Sequence, residues 1–471
     1  MLTLKMLLSL PITLLLAIEA HAQTQTASDI VLLGTQSIGS LDGSLGVPTG
    51  SYLSYSTTVS VNGSVSIFAT LNAVANASST TTSTSTSVSL LHGSVGASSA
   101  SPLNVTMTGN STASSTTSTS AAPTNTQACN NYPEFCERSY SNITYVAAHN
   151  SPFVAPNNAG ANQQLGVIKQ LDDGIRMVTG ETHYNATTKS VSYCHTSCDL
   201  LDVGTAEEFF TNVTGWIKTH PYDVVTLLIV NSDYINVNNY TAPIINSGLV
   251  NYAYIPPLVP MNITAWPTLS SMILSGKRAV IFMDYNANQT EVPYILDEFS
   301  QMWETPFSPT DDSFPCTQQR PPNLSKQDAE GRMYLANHNL NTEITLAGTS
   351  LLVPTTTLIN QTNGLNGTGS LGLMANNCVG KSFTSSPPNH KPVTILILIL
   401  AAWPRPPNFL LVDYYNDGSY PGSVFEVAAQ HNNVTYNRPC CGVVPSAADV
   451  VRPSCFLLVM MGLLGGALFT I

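Results

Sequence analysis

Short apolar runs alternate with one-sided amphipathic stretches between Cys129 and Tyr436. Ile143 to Ala148 and Ile175 to Val178 predict strands, and Arg278 to Met283 and Asn408 to Val412 repeat the pattern. Val224 to Val230 is almost unbroken Val, Leu and Ile, as expected of a strand buried on both faces. Between these runs, Asn162 to Leu171, Ala206 to Thr219, Ala265 to Ser275, Tyr294 to Trp303 and Gly422 to Gln430 read as helices. Strand–helix alternation with buried strands predicts a parallel α/β fold, and this many units predicts a TIM-type (β/α) barrel. Polar residues then follow the strand C-termini: His149, Glu181, Asn231, Asp284 and Asp413. In such barrels the catalytic face is the one at those ends.

The pattern fails outside this module. Residues 23–127 have no clear core, and Asn76 to Thr126 is dominated by Ser, Thr and Ala. Such a segment buries too little apolar surface to offset its chain entropy, so a disordered, O-glycosylated Ser/Thr-rich stalk is expected. Weak alternation near Ser64–Ala69 leaves room for a few strands. Residues 128–440 are assigned to the barrel. Residues 1–22 have the layout of a signal peptide, with Lys5, an apolar run and Ala20-His21-Ala22; the alternative is an N-terminal anchor. Residues 441–471 end in an apolar tail preceded by Ser446, Ala447 and Ala448. That layout fits a GPI-attachment signal, the alternative being a C-terminal membrane helix. Residues 379–402 interrupt the barrel pattern, and either add a strand or form an insertion from untranslated sequence retained in the gene.

Composition narrows the function. Charged residues make up 9% of the 471, and the formal net charge is −12. No basic stripe exists to neutralise phosphates along a duplex, so nucleic acid is excluded as a general partner. Nine cysteines in an exported chain suggest disulfides. Cys129 with Cys136 and Cys194 with Cys198 are close pairs, and Cys316 with Cys378 is a longer link. Glycosylation sequons recur, at Asn142, Asn185, Asn212, Asn262 and Asn433 among others. The expected location is the extracellular cell surface, held to membrane or wall by the C-terminal anchor.

Four blocks carry the chemistry: Tyr145 to Ser151 with its His149-Asn150 pair, Gly174-Ile-Arg176 running to Glu181 and His183, Tyr193-Cys194-His195-Thr-Ser-Cys198, and Thr219 to Asn231. Their order resembles the X-type catalytic region of phosphatidylinositol-specific phospholipases C, most of all its fungal secreted branch. The blocks Pro407 to Tyr415 and Gly422 to Gln430 extend the likeness over about 300 residues. The resemblance implies a phosphoric diester hydrolase acting on a phospholipid or related diester. It makes His149 the base-side and His195 the acid-side histidine. Two imidazoles suit that task because both protonation states are accessible near neutral pH. It further implies a cation for the phosphate, either Ca²⁺ held by Asn150, Glu181 and Asn231, or an arginine. Thr179 stands where the calcium-dependent relatives have a carboxylate, and no arginine stands at Glu181. Arg176 is either a phosphate ligand or a buried partner of a carboxylate. Asp284 and Asp413 could orient a histidine. The competing reading is a catalytically inactive barrel serving as a surface scaffold.

Overall fold

A computed structural model describes residues 50–55, 57–61, 126–346, 349–379, 403–419 and 421–438. Twelve strands of the main module and its hairpin are numbered here in chain order. β1 is Tyr145–Ala148, β2 Met177–Asn185, β3 Ser190–Cys194, β4 Asp202–Thr205, β5 Val225–Asn231 and β6 Ala279–Met283. β7 is Leu296–Asp297, β8 Met302–Glu304, β9 Met333–Asn337, β10 Asn341–Leu346, β11 Thr349–Pro354 and β12 Phe409–Val412.

Eight of these form one parallel sheet in the order β8-β9-β12-β1-β2-β5-β6-β7. Around the ring that is the chain order itself, each strand beside its sequence neighbour. The two ends of the sheet, β7 and β8, are joined only by the single helical turn Glu298–Gln301. The sheet is thus a TIM-type barrel with one unpaired seam, as the alternation predicted. β3 and β4 are an antiparallel extension of β2 on the catalytic side.

Two apolar layers follow from the two-residue period of the strands. Tyr145, Ala147, Met177, Leu228, Val280, Phe282, Leu335, Phe409 and Leu411 fill the barrel. Tyr140, Trp266 and Leu269 close its N-terminal end. The intervening residues Val146, Ala148, Val178, Leu227, Ile229, Ile281, Leu410 and Val412 face the helices. Among those helices are α1 (Val167–Asp173), α2 (Ala206–Thr219), α3 (Leu371–Cys378) and α4 (Ser423–His431). α2 starts on a capping box: Thr205 accepts from Glu208 N, and the Glu208 carboxylate accepts from Thr205 N. Phe210, Val213, Trp216 and Ile217 are its buried face.

Three sequence expectations need correction. Tyr294 to Trp303 is not one helix. Asp297 caps a turn by accepting from Ser300 N, and the residues on either side pair as β7 and β8. The apolar spacing fits a helix, but ring closure claims those backbone groups. Secondly, part of the expected stalk lies on the barrel. Val59–Ser60 pairs antiparallel with Leu258–Val259, and the Tyr52 ring packs edge-on to Tyr285 and Phe299 at 5.5 and 4.9 Å. Aromatic burial supplies the attraction that the Ser/Thr-rich remainder lacks. Thirdly, β9 and the hairpin β10–β11 were not anticipated, because their apolar runs are short.

All three cysteine pairs read from the sequence are disulfides: Cys129–Cys136, Cys194–Cys198 and Cys316–Cys378. The expectations for residues 1–22, most of 23–127, 380–402 and 441–471 lie outside the described residues. Among the described residues no helix is long and apolar enough to cross a membrane.

Candidate active site

The inward parity of each strand selects what reaches the barrel mouth. On β1, Tyr145 and Ala147 point inward, and the next inward position is His149. On β12, Phe409 and Leu411 lead in the same way to Asp413. These two meet: His149 Nδ1 lies 2.8 Å from Asp413 Oδ1. Asp413 is fully buried. Asn162 Nδ2 donates to the same carboxylate oxygen at 3.0 Å and lies 3.2 Å from His149 Nδ1. Gln163 Nε2 donates to the main-chain oxygens of His149 and Val412, fixing both strand ends. The imidazole is therefore held by Nδ1, which leaves Nε2 as its working nitrogen.

Asn150 takes a left-handed backbone conformation, φ 47°. Asparagine is one of the few residues that adopts it readily, and the turn lets Asn150 N donate to Thr179 Oγ1 at 3.0 Å. His195 arrives from the other side. The antiparallel extension β3–β4 carries it over the mouth, the Cys194–Cys198 disulfide closes its loop, and Phe153 packs edge-on against its ring at 5.1 Å. Glu181, inward on β2, accepts from Thr196 N at 2.7 Å and so ties that loop to the barrel. Burial pulls the His195 pKa below its usual value. Glu181 opposes that shift most, His149 adds to it, Asp413 opposes it and His183 adds to it. His149, His195 and Glu181 thus form one electrostatic unit.

The other sequence-derived residues lie elsewhere. Arg176 precedes β2 with outward parity at the opposite end of the barrel. Its Nε and Nη2 donate to Asp223 Oδ1, and its guanidinium stacks 5.1 Å over Trp216. It is the buried carboxylate partner and not a phosphate ligand. Asn231 is outward on β5. Its Oδ1 accepts from Ile235 N and Tyr240 OH, and its Nδ2 donates to the oxygens of Ile235 and Tyr285. Asp284 is inward on the far side of the ring, where Oδ1 accepts from Asn231 N and Tyr285 N. It belongs to a second buried cluster. There Arg320 donates to Glu304 at 3.1 Å and to Tyr285 OH, lies 3.7 Å from Asp284, and is covered by Phe299 and Phe307. Burial raises the Asp284 pKa to about 6. It does not orient a histidine.

The expected Ca²⁺ ligands therefore do not form a set. Asn231 is turned outward and spends its amide on structure, Thr179 contributes a hydroxyl bonded within the strands, and Glu181 is left as the one carboxylate of the expected set, already accepting from Thr196 N. Among the histidines, cysteines, aspartates and glutamates of the described residues, Cys194, Cys198 and Asp202 are the one group of three close enough for a metal, and its two sulfurs are joined to each other. Hard cations need several charged oxygens, and the residues here do not fit one.

Sequence reasoning missed Asn162. It gave His183 no role. His183 is inward two residues beyond Glu181, and its Nδ1 lies 2.9 Å from Asp233 Oδ1. Parity counted outward from β1, β2 and β12 would have ranked Asp413 and His183 above Arg176 and Asn231.

A parallel barrel of the TIM type, bearing an aspartate-held histidine and a second histidine at the C-terminal ends of its strands, defines the class of this protein. The family model described as PI-PLC X 1 matches residues 135–427. The chain belongs to that family. An "Uncharacterized secreted protein" of Arthroderma benhamiae is 54% identical over 361 residues, 77% of this chain and 76% of the relative. A "PI-PLC X domain-containing protein 1" of the same fungus is 37% identical over 292 residues, 62% of this chain and 86% of the relative. Among solved structures, the phosphatidylinositol-specific phospholipase C of Listeria monocytogenes covers 63% of this chain and 95% of its own, at 11% identity and a TM-score of 0.39. A mutant of the Staphylococcus aureus enzyme covers 63% and 94%, at 13% identity and 0.33. At those scores the strand order, not the superposition, carries the fold.

Proposed function

We propose that this protein is a phosphoric diester hydrolase that cleaves a lipid phosphodiester outside the cell, with His149 as base and His195 as acid. The observation that carries the reading is the His149 imidazole held through Nδ1 by buried Asp413 while His195 is brought to the same mouth. His149 Nε2 takes the proton of a hydroxyl neighbouring the phosphorus. That oxygen attacks phosphorus, the bond to the leaving oxygen breaks, and His195 delivers a proton to it. The products are a cyclic phosphodiester and an alcohol. Asp413 fixes the tautomer and stabilises the imidazolium that forms. A chelator should leave the rate unchanged, because Asn231 is turned outward with its amide taken up by Ile235, Tyr240 and Tyr285. Export agrees with the secreted description of the fungal relative and with the three disulfides; attachment through a GPI anchor is part of the same proposal.

The test is release of inositol phosphate from phosphatidylinositol by the purified protein lacking both terminal signals. His149→Ala should lower kcat/KM by about 10²–10⁴, the usual contribution of one acid–base group. Equal inactivity of wild type and variant on every lipid diester tried would leave the scaffold reading in its place.

A further inference from the structure

The hairpin β10–β11 leaves the barrel four residues after β9 ends at the mouth, and pairs only with itself. Ile344 lies directly across from Leu351. Val353 follows two residues on, so these three aliphatic side chains share one face. No layer of the barrel covers that face completely, since all three are half-buried. Opposite it stand Leu200 and Leu201, on the loop that begins at His195. His195 forms part of the wall of the cleft between them. Its lining contains no lysine, arginine or carboxylate. Gly160 completes the wall beside the imidazole; a Cβ there would stand 3.4 Å from His195 Nδ1.

A cleft walled by aliphatic side chains, with Asn158 and Thr196 grouped beside its imidazole, fits an amphiphile whose polar end reacts at that imidazole. We infer that it seats an acyl chain of the diester's leaving group, so that the protein itself, and not only the bilayer, holds the lipid tail. The inference rests on the reading above that His195 protonates the leaving oxygen. Whatever is bonded to that oxygen must extend from His195, and the cleft begins there. The leucines on the His195 loop make the seat continuous with the acid. Leu201 O accepts from His195 N at 2.9 Å, which holds the leucine wall against the acid.

The experiment uses monomeric phosphatidylinositols with butanoyl, hexanoyl and octanoyl chains, below their aggregation concentrations, beside the methyl ester of inositol phosphate. In the wild type kcat/KM should climb by about fourfold for each methylene that enters the cleft. Ile344→Trp fills the cleft from the hairpin side. It should flatten that climb while leaving the methyl ester within twofold of wild type and the melting temperature unchanged. Leu351→Ala, which empties instead of filling, should lower the climb less. Equal rates for methyl and octanoyl esters in the wild type, or an undiminished climb in Ile344→Trp, would overturn the inference. Loss confined to vesicle substrates, with monomers unaffected, would also overturn it and make the hairpin a membrane contact.

Binding separates this inference from the catalytic reading. If no ester is turned over, that reading fails, and calorimetric binding of hexanoyl and octanoyl phosphatidylcholine monomers decides the cleft alone. Tighter binding of the longer chain, lost in Ile344→Trp, supports the seat. Chain-independent binding, or none, sinks it.

Discussion

His149 and His195 are both imidazoles, yet their surroundings differ, and the proposed mechanism gives them different tasks. His149 has a buried carboxylate at Nδ1, which suits a group that must accept a proton and carry it. His195 is pulled toward the neutral form by burial and by its histidine neighbours, and Glu181 is the strongest opposing influence. In a reaction that needs His195 protonated, kcat/KM falls on the alkaline side as this group loses its proton. Glu181→Gln removes the group that most holds the proton on. The alkaline limb should therefore move to lower pH, with His149, Asp413 and His183 still in place around it. A pH–rate profile whose alkaline limb stays put would show that Glu181 acts only through its bond to Thr196 N. Both histidines and Glu181 were legible in the sequence because each sits in a short block with a recognisable neighbour. Arg176 and Asn231 were misplaced for one physical reason, whereas Asp284 is inward but stands on the far side of the ring from His149. A residue's distance from a strand end is visible in a sequence, but its inward or outward parity depends on the register of the whole ring. Asn162 gave no signal, since it comes from a connection and not from a strand.

At the scale of elements, β7, β8 and the turn between them hold a charge balance with a pH signature. Asp297 is buried and its pKa is raised, chiefly by burial, to about 7; the neighbouring Glu298 is raised well above its ordinary value for the same reason. The folded state binds these protons more tightly than the unfolded chain does. Their stabilising effect is complete below the unfolded carboxylate value and is lost as pH rises from about 4 to about 7. The melting temperature should thus decline across that window, and Asp297→Asn, which keeps the cap on Ser300 N, should make the decline shallower. An unchanged slope would exclude Asp297 as a source.

A second element-scale expectation concerns residues 379–402. Trp403 N donates to Cys378 O at 2.8 Å, so the chain on either side of that stretch already meets. Deleting 379–402 should give a protein that folds with its melting temperature within a few degrees and with Cys316–Cys378 formed, as judged by calorimetry and peptide mapping. Failure of that variant to fold would make the stretch integral to the barrel. The interruption itself was visible in the sequence, and the deletion decides whether it is an insertion. The β7–β8 region was not legible there, because strands of two and three residues are defined by their partners and not by their own composition.

At the scale of the molecule, the strands follow chain order around the ring, so the fold is assembled mostly from neighbouring units. That is why alternation alone indicated a barrel. The packing of residues 50–61 against the seam side could not be read in the same way. It depends on Gly50, whose Cβ would fall 2.2 Å from the Tyr285 ring, and on Tyr52 reaching two rings more than two hundred residues away. No local pattern encodes such a contact.

The three disulfides divide the work unequally, and the smallest one makes the protein's activity and its shape separable. Cys316–Cys378 spans 62 residues and is worth about 4 kcal/mol in lost chain entropy, whereas Cys194–Cys198 spans 4 and is worth about 2. Cys198 is exposed, while the sulfur pairs of the other two bridges are buried. A mild reductant should therefore open the loop under His195 first. Turnover should fall while circular dichroism and melting change little, and reoxidation should restore it; simultaneous loss of both signals would refute the idea. Viewed this way, the molecule has a chemical fuse. Exposure to a reducing medium would silence the site long before it released the barrel.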